Sequence, residues 1–139
     1  MIFWDSSALA ALLVDEVDSA PRRQQLQADP EVAVWWGTPV ECESAIQRRF
    51  REGSLSIFQA RLARERLADL SASWHEVSPV VAVRTLSRRL LRTHPLRAAD
   101  ALQLAAALAL GEAGLNEFTF ACSDVRLATA AETEGLHVI

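Results

Sequence analysis

The chain contains no lysine; all fourteen of its basic residues are arginine. That absence excludes mechanisms built on a lysine side chain, among them Walker-type cradling of nucleotide phosphates and Schiff-base catalysis. Cysteine is scarce. Cys42 and Cys122 lie far apart with no CxxC spacing, and are expected to be two reduced, packed thiols. Glycine and proline number five each, and no repeat or low-complexity segment occurs, so disorder is not indicated. Long apolar runs are missing too: the longest, Leu104–Leu110, is too short to span a bilayer. No basic region precedes the first apolar run, and Asp5 interrupts that run early, which argues against a signal peptide. A soluble, cytoplasmic protein without a membrane segment is the expectation.

What is present is ordinary globular material. Half of the 139 residues are apolar and 23% are charged, the size and balance of one domain, expected to span residues 1–139. The net charge of −4 argues against indiscriminate coating of nucleic acid. It leaves room for a local basic patch or an acidic pocket that recruits metal.

Hydrophobic patterning predicts strands alternating with helices. Met1–Trp4 reads as a strand, Asp5 to Ser7 as a loop, and Ala8–Val14 as a helix. A second helix is expected over Ser19–Ala28, then a strand over Val32–Trp36 and a turn at Gly37. Thr38, Pro39 and Glu41 carry the pattern of an N-cap, a first-turn proline and a capping-box acid, predicting a helix to about Glu52. Ser56 and Gln59 repeat the capping pattern before a helix to about Leu70. Trp74–Val77 reads as a strand, and Ser78 with Pro79 as the start of a helix to about Leu91 whose outer face carries Arg84, Arg88 and Arg92. An alanine-rich helix follows from Arg97 to about Ala113, ended by Gly114. A strand over Phe118–Cys122, a helix over Asp124–Glu134 and a short strand over Leu136–Ile139 complete the chain. Such alternation implies an α/β fold with a parallel sheet flanked by helices.

In a parallel sheet the carboxyl ends of the strands and the amino ends of the following helices share one edge, where ligands bind. Asp5, Glu41, Asp100 and Asp124 each fall at that edge. Helix amino ends favour anions and help to keep these acids ionised. Converging carboxylates hold hard divalent cations such as Mg²⁺, which keep several waters and bind through carboxylates plus substrate phosphates. A phosphodiester is the substrate that this chemistry points to.

Each acid also has a purely structural reading. Asp5 and Asp124 fit N-caps, and Glu41 fits a capping box with Thr38. Glu43, two positions on, points to another face of its helix and is expected to face solvent. Asp100 is the only acid between Arg97 and Gly111, in a helix made almost entirely of Ala and Leu. An idle carboxylate in such a buried helix is costly. The alternative there is a narrow solvent stripe of Arg97, Asp100 and Gln103 at three-residue spacing. His75, His94 and His137 show no ligand spacing and are read as structural. Ser6 and Ser7 lack the glycines of a nucleophile elbow, so Ser7 is read as a hydrogen-bond partner for a carboxylate or metal-bound water. Trp35 and Trp36 are read as core or interface residues.

Four segments together carry a family likeness: Asp5-Ser6-Ser7-Ala8-Leu9; Glu41 followed by Ser44-Ala45; Arg97-Ala98-Ala99-Asp100-Ala101-Leu102-Gln103-Leu104-Ala105; and Asp124 with Arg126-Leu127, ahead of Gly135-Leu136-His137-Val138. The chain resembles, over its whole length, a PIN-domain ribonuclease of the VapC toxin type. Cys122 stands where the family often has Ser or Thr. The resemblance implies a three-layer PIN-like α/β fold with a central parallel sheet of four to five strands. It also implies Mg²⁺- or Mn²⁺-dependent endonucleolytic cleavage of RNA, with Asp5, Glu41, Asp100 and Asp124 as catalytic metal ligands. A small VapB-like antitoxin, whose tail would block the acidic groove, and a homodimer are further implications. Arg48, Arg49, Arg51, Arg61, Arg64 or the arginines from Arg84 to Arg92 are candidates to hold the RNA backbone, each equally well explained as a solvated helix face.

Other classes fit less well. A receiver domain requires the missing lysine, and a haloacid-dehalogenase-like phosphatase needs an aspartate where this chain has Ser7. A PIN fold that binds RNA or a partner with weak catalysis, and a housekeeping RNA-processing nuclease, are the remaining alternatives.

Overall fold

A computed structural model describes residues 1–114 and 118–139. The first element, β1 (Ile2–Trp4), is central in the sheet, and its side chains alternate between two faces as a strand's pleat requires. Ile2 and Trp4 pack with α1 (Ser6–Leu13), α3 (Thr38–Arg51) and α4 (Ile57–Ser71) through Leu9, Leu13, Cys42, Ile46 and Ala63. Phe3 faces the opposite way, stacking on Phe120 among Leu104, Ala105 and Leu127. The same alternation places Val32 and Val34 of β2 (Val32–Trp35) on the first face and Ala33 and Trp35 on the second. A three-layer α/β architecture results, with one core on each face of the sheet.

The remaining elements are α2 (Ser19–Ala28), β3 (His75–Val77), α5 (Val81–Thr93), α6 (Ala98–Glu112), β4 (Thr119–Ala121) and α7 (Val125–Thr133). All strand pairs are parallel and the order is β3-β2-β1-β4. After β1 the chain steps outward through β2 to β3, then crosses over to place β4 on the other flank of β1. The strand order therefore reverses beside β1, opening the crevice where ligands bind in sheets of this kind.

Several expectations shift on inspection. The expected final strand, Leu136–Ile139, is reduced to a single bridge between Phe120 and Val138, with Phe120 N donating to His137 O and Ile139 N to Phe120 O. Among the described residues the sheet thus has four full strands, and the last segment extends it only by that bridge. The helix expected from Ala8 begins at Ser6 because Asp5 caps it. Thr38 does not cap α3: Gly37 occupies that position and the Thr38 side chain is fully buried. The helix expected at Ser78 starts only at Val81, after an extended Val80. Trp35 is core as expected, whereas Trp36 is 54% exposed. The capping box of Ser56 and Gln59 forms as read, and Gly114 adopts the left-handed φ of +97° that ends α6.

Candidate active site

Asp5, Glu41, Asp100 and Asp124 meet at the carboxyl edge of the sheet. Glu41, Asp100 and Asp124 line one cleft of about 660 Å³ together with Ser6, Ser7, Arg48, Arg49, Arg97 and Ser123. A second lobe of about 420 Å³ continues past Asp100 and Asp124 to Pro95 and Arg126. Asp5 is only 2% exposed and is reached from the cleft beside Ser7, which lines it.

The three aspartates share one bonding pattern. Each commits one carboxylate oxygen to a backbone N–H at the amino end of a helix, the following one for Asp5 and Asp124 and its own for Asp100. Asp5 Oδ2 accepts from Ser7 N at 2.9 Å and also from Ser7 Oγ. Asp124 Oδ1 accepts from Leu127 N at 2.9 Å, and Asp100 Oδ2 from Arg97 N at 3.3 Å. Capping is therefore real at all three, through only one oxygen of each. The other oxygen, Oδ1 of Asp5 and Asp100 and Oδ2 of Asp124, makes no hydrogen bond among the described residues.

Glu41 behaves differently, and its capping-box reading fails. Its Oε2 accepts from Ser6 Oγ at 2.8 Å on α1, and its Oε1 from Gln103 Nε2 at 3.2 Å on α6. Both bonds reach across the cleft instead of back to Thr38. The solvent-stripe reading of Arg97, Asp100 and Gln103 fails for a related reason: Gln103 is fully buried, hydrogen-bonded to Thr38 Oγ1 and Glu41. Gln103 was legible only as a polar residue in an apolar helix, and no motif marked it as a partner of Glu41.

Electrostatics set this edge apart. Burial pushes the Asp5 carboxyl up to about 6, opposed by its two hydrogen bonds from Ser7 and reinforced by Glu41 and Asp100. Burial also raises Glu41 and Asp100; Glu41 is raised further by Asp100, and Asp100 by Asp124. None of the four takes part in a salt bridge among the described residues. Cys122 stays a neutral thiol, pushed up to about 12 by burial, with Sγ 3.7 Å from Asp5 Oδ2.

Mutually repelling, half-desolvated carboxylates with unshared oxygens fit the donor set of a hard divalent cation. Among the described residues no three His, Cys, Asp or Glu groups are already gathered at ligand spacing, so the acids form an open site and not a closed cage. Mg²⁺ is ordinarily bound in such sites, through one or two carboxylates and several waters.

The other singled-out residues fall into place around this edge. Glu43 faces solvent and pairs with Arg64 at 2.7 Å. None of His75, His94 or His137 lines the cleft; His94 Nε2 bonds Glu134 Oε1 at 2.7 Å on the opposite helix layer. Of the arginines, Arg49 is held by Glu16 at 2.6 Å and Arg61 by Glu65 at 3.2 Å. Arg48, Arg97 and Arg126 line the two lobes and make no salt bridge among the described residues. Arg97 and Arg126 had not been singled out as RNA contacts. Among the described residues, no helix is long and apolar enough to cross a membrane.

Comparison with known proteins gives a consistent picture. The family model described as PIN domain matches residues 2–132. Ribonuclease VapC45 of Mycobacterium tuberculosis strain CDC 1551 / Oshkosh is 31% identical over 151 aligned residues, covering 99% of this chain and 94% of that protein. Ribonuclease VapC49 of Mycobacterium tuberculosis strain ATCC 25618 / H37Rv aligns with the same identity and coverage, 31% over 99% of this chain and 94% of its own length. The crystal structure of FitAcB from Neisseria gonorrhoeae shares the fold, with a TM-score of 0.65 at 16% identity over 100% of this chain and 96% of that one.

Proposed function

The chain belongs to the PIN-domain family, and from that premise we propose that it is a divalent-metal-dependent endoribonuclease, the toxin of a type II toxin–antitoxin pair. The relatives named ribonuclease, similar over nearly the full length, support RNA as substrate. One observation carries the catalytic reading: Asp5, Asp100 and Asp124 each use one oxygen for helix capping and leave the other unshared at one edge, with no salt bridge to any of them among the described residues.

Asp5, Asp100, Glu41 and Asp124 would hold Mg²⁺ or Mn²⁺ in this cleft. Bound there, the ion supplies a water acidic enough to attack at neutral pH and stabilises charge on the phosphate and leaving oxygen. The protein's own part is placement. Ser7 orients Asp5 through its backbone N–H and hydroxyl, and Ser6 and Gln103 orient Glu41 from opposite sides. Arg48 on one side of the acids, and Arg97 with Arg126 on the other, are free to hold the phosphates flanking the scissile bond. No lysine or histidine is needed for these roles.

A small VapB-like antitoxin that blocks the acidic groove, a homodimer, a single domain spanning the chain and a cytoplasmic location complete the reading. The second reading, a PIN fold that binds RNA or a partner with weak catalysis, is favoured by one observation, the absence of a preformed three-ligand cluster among the described residues. Cleavage of total RNA separates the two. Mg²⁺ or Mn²⁺ supports cleavage by the wild type, and Asp5→Asn or Asp100→Asn abolishes it in proteins that remain folded. Equal cleavage in excess EDTA, or by both variants, defeats the metal mechanism.

A further inference from the structure

Arg22 lies on α2, a helix that supplies no side chain to the acidic cleft, yet it is one of the most enclosed charged residues in the protein, 7% exposed. No Asp or Glu side chain pairs with its guanidinium among the described residues. Instead its two terminal nitrogens are shared among four acceptors on three segments of the chain. Nη2 donates to Cys122 O at 2.6 Å and to Ser123 Oγ at 3.0 Å. Nη1 donates to Ile139 O at 2.9 Å and to Gln25 Oε1 at 3.0 Å. A buried cation is costly to place, so a chain that carries one has it tied to several partners at once.

Those partners lead to the site. Cys122 and Ser123 form the turn between β4 and α7, directly before Asp124. Ser123 N donates to Ser7 Oγ at 3.0 Å, and Ser7 Oγ donates in turn to Asp5 Oδ2. Cys122 Sγ lies 3.3 Å from Asp124 O and 3.7 Å from Asp5 Oδ2. One turn therefore presents Asp124 and touches the hydroxyl that orients Asp5. Its only cationic anchor among the described hydrogen bonds is Arg22.

We propose that Arg22 is the positioning residue of the acidic cleft: its planar fork clamps the turn at residues 122–124 against α2 and the 139 backbone, and so fixes the separation and orientation of Asp5 and Asp124. The role needs the fork and not merely a positive charge. A lysine ammonium at this place is a point donor that cannot reach carbonyls on two different segments with the same geometry. Groups just behind the ligands act on metal affinity through orientation, and their loss weakens it by about 10- to 100-fold in known sites.

The inference rests on the metal-nuclease reading above, and its test is direct binding of Mn²⁺ to the intact chain, followed by calorimetric titration without RNA. Thermal melting of the same samples in EDTA reports folding separately. Arg22→Lys retains a cooperative melt and binds Mn²⁺ about 10- to 100-fold more weakly than wild type. Ser123→Ala, which removes one of the two ties to the turn, weakens binding to a smaller degree. Arg66→Lys is the control, because Arg66 also ties a backbone carbonyl, Leu13 O at 3.0 Å, but away from the cleft; it lowers the melting midpoint and leaves Mn²⁺ affinity unchanged. Wild-type affinity in Arg22→Lys, or an equal loss in Arg66→Lys, overturns the proposal. If Arg22→Lys does not fold, unchanged affinity in Ser123→Ala overturns it. A wild-type chain that binds no Mn²⁺ defeats the metal-nuclease reading itself, a result distinct from bound metal that ignores Arg22.

Discussion

Gln103 Nε2 donates to Glu41 Oε1 at 3.2 Å, joining α6 to α3 beneath the cleft, and the same amide also reaches Thr38 Oγ1 at 3.2 Å. A fully buried amide between a carboxylate and a hydroxyl turns two apolar-flanked helices into one polar scaffold. Removing it strands both partners.

Gln103→Leu is therefore expected to destabilise the protein by about 1–3 kcal/mol, the penalty for leaving a buried hydroxyl and carboxylate short of a donor. Urea denaturation measures it. RNA cleavage falls as well, since Glu41 keeps only Ser6. A stability equal to wild type would show that the amide is replaceable by packing.

The metal-free protein loses stability as pH rises from about 4 to about 6. The Asp5 pKa is raised from 3.8 to about 6, so across that window the folded state holds more protons than the unfolded chain, and the slope of stability against pH is negative. The loss from this group is on the order of 3 kcal/mol. Glu41 and Asp100, also raised, act in the same direction. Denaturation midpoints in EDTA across this range test it, and saturating Mn²⁺ should flatten the dependence by binding the ionised form.

Asp5→Asn separates activity from stability. Asparagine caps a helix as well as aspartate does, so the bond from Ser7 N survives while the buried charge is removed. The variant is expected to melt at or above the wild-type temperature at pH 7 in EDTA, to lose the pH dependence assigned to Asp5, and to cleave no RNA. A lower melting temperature would mean that the charge itself stabilises the metal-free fold.

Asp124 admits a similar split. Asp124→Ala removes the cap on Leu127 N and costs about 0.5–2 kcal/mol, whereas Asp124→Asn keeps the cap. If Asp124 serves the metal, both variants lose activity; if it only caps, Asn retains it. Cleavage rates beside thermal melts decide between these outcomes.

Arg97 and Arg126 are expected to contact RNA phosphates. In the Asp5→Asn background, replacing both by alanine should reduce the salt dependence of single-stranded RNA binding by about 1.4 in the log–log slope, roughly 0.7 for each lost contact. Stability should change by less than about 0.5 kcal/mol, because both side chains are exposed. An unchanged slope would place the RNA on the Arg48 side of the acids.

Much of the fold was legible because its signals are local. Strand period, the capping box of Ser56 and Gln59, and Gly114 at the end of α6 all act within a few residues. Asp100 stood out because an acid in an apolar helix is visible without a partner. The capping-box alternative for Glu41 and the solvent-stripe alternative for Gln103 fail for the opposite reason. Thr38 and Glu41 have the spacing of a capping box, yet the partners that win are 65 positions away for Thr38 and 35 and 62 positions away for Glu41. No local rule ranks a distant donor above a near one.

Sequence alone determined that acids stand at the ends of β1 and β4 and at the starts of α3 and α6, because capping and periodicity are short-range effects that the chain carries wherever it goes. Tertiary structure alone decided that Asp5 is buried while Asp124 is exposed, that Glu41 is held by Ser6 and Gln103, and that Arg22 anchors the turn before Asp124. Desolvation and long-range hydrogen bonding exist only once the layers pack, and they give four acids at one edge different surroundings.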